Sequence, residues 1–238
     1  MPGIHFVSYG NDRFAKSIQR ICKEAGDFRE FSSVTGYTET DLRGDTDFWE
    51  KHGEFIQQNR RGGGYSVWKP YLIEKKLNEL KDGEFLVYCD AGSQINMNGK
   101  ERFLEYIRML ETNESGYGIL SFALPCKERQ WTKKAVFRHF MSDESITKSS
   151  QNITGVILIK KNAHSMHVID MWNKSMLHKL INDDTETEHP EFCENRHDQS
   201  IFSVLVNTHG SVKLVDETYF TNWDDGENYP FLAKRIWG

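Results

Sequence analysis

Three short stretches hold the residue types from which a reactive centre could be built. In "FLVYCDAGSQIN", Phe85 to Asn96, an apolar run ends on a lone acid, Asp90, followed by Ala91 and Gly92. A carboxylate at a strand tip is a hard oxygen ligand, suited to Mg²⁺ or Mn²⁺ ions that bridge substrate phosphates. The two small residues after it would leave room for a diphosphate. The competing reading is an Asp that caps the next turn. In "RRGGGYSVWKP", Arg60 to Pro70, the side chains of Arg60, Arg61 and Lys69 offer positive charge to phosphate oxygens. In "CENRHDQS", Cys193 to Ser200, the run His197, Asp198, Gln199 places a ligand or acid–base group, a carboxylate and an amide side by side. Asp198 could equally be the N-cap of the helix that follows.

Two further segments could line the same cleft. After the first apolar run come Ser8, Tyr9, Gly10 and Asn11. Gly10 would let the backbone approach a flat base or sugar, and Asn11 could hydrogen-bond it; a plain turn is the alternative. "KERQWTKKAVF" could bring Glu128, Trp131 and Lys133 to a cleft rim, where an exposed Trp stacks on sugar faces. The remaining histidines show no HExxH or similar metal spacing and read as surface or structural residues. No GxGxxG, GxxxxGK[ST] or GxSxG motif is present, which weakens dinucleotide-oxidoreductase, P-loop and α/β-hydrolase readings.

The elements that would position these residues alternate. "IHFVSYGND" reads as a strand breaking at Gly10, and "DRFAKSIQRICKEAG" as an amphipathic helix with Asp12 as N-cap and Gly26 as its close. A second short strand is expected around Phe31 to Thr35, and residues 36–60 read as a polar surface excursion. A glycine loop then leads into a helix from "VWKP", with Pro70 in its first turn, to about Leu80. "FLVYCD" is a strand, "GKERFLEYIRMLE" a helix, "YGILSFAL" a strand, "TKKAVFRHFM" a helix and "TGVILIKKN" a strand. "AHSMHVIDMWNKSMLHKLI" reads as one long helix, "HDQSIFSVLVNTHG" as a helix ending at Gly210, and "VKLVDETYF" as a last strand. Such alternation predicts an α/β fold with a mostly parallel central sheet and helices on both faces. Without internal repeat, linker or low-complexity tract, residues 1–238 read as one domain.

Composition narrows the classes. The chain is 38% hydrophobic and 27% charged, with a net charge of −5, which argues against a nucleic-acid partner bound through bulk charge. No apolar run approaches the roughly 18 residues of a membrane helix, and "MPGIHFVSYG" has none of the character of a signal peptide. The 4 cysteines lack CxxC or zinc spacing and read as reduced thiols, with Cys89 and Cys126 expected to be buried. A cytoplasmic setting is the expectation. The sequons at Asn113, Asn152 and Asn173 then read as chance matches.

The order "FVSYGN", "GYSVWKPYLIEKKL", "DGEFLVYCDAGSQIN", "RHDQSIFSVL" resembles that of GT-A-fold glycosyltransferases over roughly residues 4–206. The small enzymes of large algal viruses and some bacteria are the nearest likeness. The resemblance implies a single GT-A-like domain, with a donor-nucleotide half over about 1–96 and an acceptor half over about 97–238. It implies sugar transfer from a nucleotide-diphosphate donor, commonly UDP-linked, to a glycan or glycoprotein hydroxyl, assisted by Mn²⁺ or Mg²⁺. It also extends the cytoplasmic setting to a virus-infected host cell. Carried over by motif, Ser8 to Asn11 approach the nucleoside, and Arg61, Trp68 and Lys69 serve the donor. Ala91 and Gly92 flank the diphosphate. "DAG" stands where the DxD motif would, so Asp90 faces the metal with help from His197, and Asp198 with Gln199 forms the catalytic pair. Gly92 departs from the pattern, since it occupies the place of the second acid. Two other classes stay open. A sugar-phosphate nucleotidyltransferase would want a richer phosphate loop than "SYGNDR". A non-catalytic carbohydrate-binding module would use Trp68, Trp131, Trp223 and Trp237 as stacking platforms, but has no need of the acid–lysine set.

Overall fold

The computed structural model describes residues 2–237. The chain opens with β1 (Ile4–Tyr9), α1 (Ala15–Phe28), β2 (Ser33–Tyr37), α2 (Glu39–Arg43) and α3 (Thr46–Gln58). A left-handed turn, α4 (Gly62–Tyr65), leads to α5 (Trp68–Glu79), β3 (Phe85–Cys89), the short β4 (Gln94–Ile95) and α6 (Lys100–Thr112). The second half holds β5 (Ile119–Lys127), α7 (Glu128–Trp131), α8 (Lys134–His139), α9 (Glu144–Lys148), β6 (Ser150–Asn152) and β7 (Val156–Lys160). It closes with α10 (Ala163–Lys174), α11 (His178–Ile181), α12 (Asp198–His209), β8 (Val212–Val215) and β9 (Phe231–Leu232).

The main sheet runs β2-β1-β3-β7-β5-β6, with β8 alongside β5. It is mixed where a mostly parallel sheet was expected. The pairs β1–β2, β1–β3 and β5–β8 are parallel, whereas β3–β7, β5–β7 and β5–β6 are antiparallel. The reversal at β7 matters for function. Because β3 and β7 run opposite ways, Cys89 at the end of β3 lies across from Val156 at the start of β7. The turn that enters β7 therefore sits at the same sheet edge as Asp90.

Alternation along β3 sends Phe85, Val87 and Cys89 into the core under α1 and α6, and Leu86 and Tyr88 into the core under α5, α10 and α12. Asp90, two residues past Tyr88, continues that second face. Both cores are closely filled: Phe6, Phe28, Phe103 and Val87 on one side, Leu72, Leu77, Trp172 and Phe202 on the other, all nearly inaccessible.

Several boundaries depart from the sequence reading. Residues 36–60 fold as α2 and α3 and bury Leu42, Phe48, His52 and Ile56, so the segment is a packed layer. Asp12 lies in a separate helical turn over Asp12–Phe14 and caps nothing, while Gly26 sits inside α1, whose C-cap is Arg29. The long helix from Ala163 breaks after Lys174, so that Met176, Leu180 and Ile181 turn back into the core. Cys89 is buried as expected, but Cys126 only partly. Among the described residues no helix is long and apolar enough to cross a membrane.

Candidate active site

The carboxyl edge of β1 and β3 gathers side chains from four segments far apart in sequence. At its centre lies Lys69, on the second residue of α5 and only 3% exposed. Its ammonium stands 3.1 Å from Asp90 Oδ1 and 3.2 Å from Asp198 Oδ2. It also reaches the carbonyl and the hydroxyl oxygen of Thr154, each at 3.3 Å. The Thr154 hydroxyl donates to Asp198 Oδ2 at 2.9 Å, and the Tyr88 hydroxyl donates to Asp90 Oδ1 at 2.6 Å. Asp198 opens α12, whose start is pinned by the Trp172 indole N–H donating to the Asp198 carbonyl at 3.1 Å.

The electrostatics follow from burial and pairing. Burial alone would pull the Lys69 ammonium down, but Asp198 and Asp90 outweigh it and hold Lys69 above its ordinary range. Burial pushes Asp198 up, Asp90 adds a like-charge push, and Lys69 partly offsets both. Tyr88, buried and facing Asp90, is pushed well up and stays a donor. Of the two acids Asp90 is the accessible one, its side chain 46% exposed against 9% for Asp198.

That arrangement bears on a divalent ion. Among the described residues no three His, Cys, Asp or Glu side chains are grouped to hold a metal. Asp90 Oδ1 is taken by Lys69 and Tyr88. Oδ2 lies beside Gly155, on which a Cβ would come to 3.4 Å from it. The residues thus fit an ion held by one protein oxygen, with substrate phosphate and water completing the shell, a common habit of Mg²⁺. His197 is placed elsewhere. Its Nδ1 donates to the Ile181 carbonyl at 2.7 Å, its ring packs 4.4 Å from that of Tyr65, and its Nε2 lies 3.7 Å from Asp183 Oδ1. Burial holds its pKa down.

The other expected residues divide into those beside the centre and those turned away. The Tyr9 and Trp68 rings lie 3.9 Å apart, and Asn11 Oδ1 is buried without a hydrogen-bond partner. Both flank the left-handed turn, in which Gly62 to Ser66 all have φ between +53° and +81°. Gly64 is required there, since a Cβ would meet Ile56 at 2.7 Å. Ser8 is fully buried. Gly10 is required by packing, for a Cβ on it would strike Ile18 at 2.9 Å. Arg61 points to the acidic segment after α11, paired with Asp183 at 3.4 Å and Glu194 at 3.0 Å. Gln199 donates to Gln151 at 2.8 Å and accepts from the Thr154 N–H at 3.4 Å, which puts it one residue from the centre.

The room expected beside Ala91 and Gly92 is filled. The C-terminal strap crosses it, with the Ile236 N–H donating to the Gly92 carbonyl at 2.7 Å and Trp237 stacked on Phe14. Arg20 takes the carbonyls of Ala91 and Ser93 at 2.7 and 2.8 Å, clamping the turn from α1. Glu128 and Lys133, expected at a rim, are both buried, and Trp131 is covered by the Arg196 guanidinium 4.1 Å from its ring.

The sequence reading overlooked Tyr88, Thr154 and Gly155. Tyr88 was accessible from strand alternation, being two residues before Asp90. Thr154 and Gly155 precede a strong strand, but only its antiparallel pairing carries them to Asp90.

No family model and no curated protein matches the chain. Among solved structures it is similar to a glycosyltransferase involved in the glycosylation of the major capsid of PBCV-1. That match has a TM-score of 0.51 at 11% identity, over 97% of this chain and 93% of the other. The fold is GT-A-like. Weaker likenesses reach mouse xyloside xylosyltransferase 1 (TM-score 0.49, 14% identity, 94% of this chain and 90% of that one) and the galactosyltransferase LgtC (0.47, 12%, 94% and 83%). Within the GT-A-like fold, the Lys69 centre lies at the carboxyl edge of the parallel strands, where open α/β sheets take their ligands.

Proposed function

We propose that the chain is a glycosyltransferase that moves a sugar from a nucleotide-diphosphate donor, a UDP-sugar, to a hydroxyl of a glycan or glycoprotein. The observation that carries this reading is Lys69 held between Asp90 and Asp198 at the ligand-binding edge of a GT-A-like sheet. Residues of about 1–96 would hold the donor, and those of about 97–238 would frame the acceptor. Tyr9, Trp68 and Asn11 form the nucleoside wall. The unpartnered Asn11 carbonyl is an acceptor that suits the single ring N–H of uracil. Mn²⁺ or Mg²⁺, when bound through Asp90, would neutralise charge on the departing diphosphate.

The chain's own residues divide the remaining work. Lys69 is too enclosed to grip a phosphate itself; it fixes both carboxylates and lowers their mutual repulsion. Asp198, held by Lys69 and Thr154, is a rigid carboxylate suited to orienting the donor sugar and stabilising positive charge at its anomeric carbon. Gln199 steadies the Thr154 backbone that supports it. In the reaction the bond from the anomeric carbon to the diphosphate breaks, one to the acceptor oxygen forms, the nucleoside diphosphate departs with the bonding electron pair, and the acceptor proton passes to solvent.

Calorimetry with a panel of nucleotide sugars, with and without Mn²⁺, tests the reading, followed by release of nucleoside diphosphate from whichever donor binds. Binding and release are expected. No binding under any metal condition would sink it, and pyrophosphate released from a nucleoside triphosphate plus sugar phosphate would favour a nucleotidyltransferase instead.

A further inference from the structure

A line of hydrogen bonds leads from the Lys69 centre to a second buried acid. Glu128 opens α7 at 0% exposure, and its carboxylate gathers only neutral donors. These are the Thr132 hydroxyl at 2.8 Å, Asn207 Nδ2 at 2.9 Å, the Ser203 hydroxyl and the Gln151 amide. Thr132 Oγ1 accepts from Gln151 Nε2 at 3.3 Å, and Gln151 Oε1 accepts from Gln199 Nε2 at 2.8 Å. Gln199 Oε1 accepts the Thr154 N–H, and Thr154 holds Asp198 and Lys69. Both ends of the line have fixed polarity. An ionised carboxylate can only accept and a backbone N–H can only donate, so each amide between them has one satisfying orientation. Gln151 Nε2 also donates to the Trp131 carbonyl at 3.1 Å, so Trp131 and the Glu128 end share in orienting this amide.

Resting on the glycosyltransferase reading, we propose that Glu128 is a positioning residue which, through Thr132 and Gln151, orients the Gln199 amide and the Thr154 support of Asp198, and so governs transfer more than donor binding. A carboxylate is a costly way to fill such a site, since its hydrogen-bond donors are all neutral and burial of the charge is unfavourable. Its pKa is accordingly raised to about 7 by burial, against the pull of its hydrogen bonds. The other titratable groups that face it are Lys213 on β8 and Cys126 on β5. Near neutral pH the acceptor end of the line therefore gains and loses a proton.

Thr132→Val keeps the shape of the side chain but removes the hydroxyl route from Glu128 to Gln151, leaving only their direct contact; Thr132→Ser restores it. The expected result is a donor Kd within about twofold of the wild type and a kcat lowered about tenfold in the Val variant, with recovery in the Ser variant. An unchanged kcat would overturn the proposal, as would parallel losses of donor affinity and thermal midpoint, the mark of a purely structural role. A second readout needs no turnover. In ¹⁵N-glutamine-labelled protein, the Gln199 side-chain amide, assigned by its loss in Gln199→Glu, should shift with a midpoint near the Glu128 value of about 7. That shift should shrink in Thr132→Val and vanish in Glu128→Gln. A flat wild-type titration overturns the proposal even where Thr132→Val fails to fold. A protein that binds no nucleotide sugar defeats the glycosyltransferase reading, while the amide titration still decides the link.

Discussion

Asp198 and Glu128 are both carboxylates taken almost wholly out of water, at 6% and 0% exposure, and the fold treats them differently. Asp198 has an ammonium at 3.2 Å, whereas Glu128 has only hydroxyls and amides. A buried ion pair ties each partner to the other, so removing one leaves an uncompensated charge. A buried acid among neutral donors is spared that dependence but loses its proton only near neutrality. The first arrangement holds a fixed charge beside the open Asp90. The second sits at a distance and responds to pH.

The largest expected effect breaks the first arrangement. Lys69→Met would leave Asp198 and Asp90 facing each other unpaired and cost about 3–5 kcal/mol in urea unfolding at pH 7. A loss under about 1 kcal/mol would mean that the acids do not depend on Lys69. Asp90→Asn separates stability from function at the same centre. Its side chain is half exposed, so stability should move by no more than about 1 kcal/mol, while Mn²⁺-dependent donor binding falls about a hundredfold by calorimetry. An equal donor Kd with and without Mn²⁺ in the wild type would remove Asp90 from that role.

Glu128→Gln sharpens the contrast through pH. The folded-state pKa of about 7 lies above the ordinary value of 4.5, so the folded protein holds this proton more tightly than the unfolded chain. Stability is therefore greatest below the lower value, declines as pH rises toward the upper one and levels off above it. Between pH 5 and pH 8 the wild type should lose roughly 2 kcal/mol more than Glu128→Gln. Parallel pH profiles for the two proteins would place the Glu128 pKa in the usual carboxylate range. The smallest effect belongs to Gly92→Ala. Its Cβ would meet the strap backbone at 3.5 Å, an ordinary contact, so stability and donor Kd should stay within about 0.5 kcal/mol of the wild type. A large loss of donor affinity would return Gly92 to the diphosphate.

Much of the site was legible as residue types at turns. Asp90, Lys69, Asp198 and Gln199 do converge, because an acid ending an apolar strand and a lysine opening a helix both belong to one sheet edge in an alternating chain. The reading failed where smallness was equated with empty space. Gly10 and Gly92 accommodate Ile18 and the C-terminal strap, and nothing local distinguishes a glycine that admits a ligand from one that admits the protein itself. Nor does local sequence mark the partners of Arg61 and His197, for Asp183, Glu194 and Ile181 arrive on a separate segment.

Periodicity and turn chemistry by themselves determined the α/β alternation, the strand that delivers Asp90 and the helix that begins at Asp198. Only the tertiary structure decided that β7 runs against β3, and with it that Thr154 and Gly155 stand beside Asp90. Strand direction leaves no mark on side-chain alternation, since a period of two reads the same both ways. Charge partners across distant segments are likewise invisible until the sheet brings them within about 4 Å, where Coulomb energy becomes decisive.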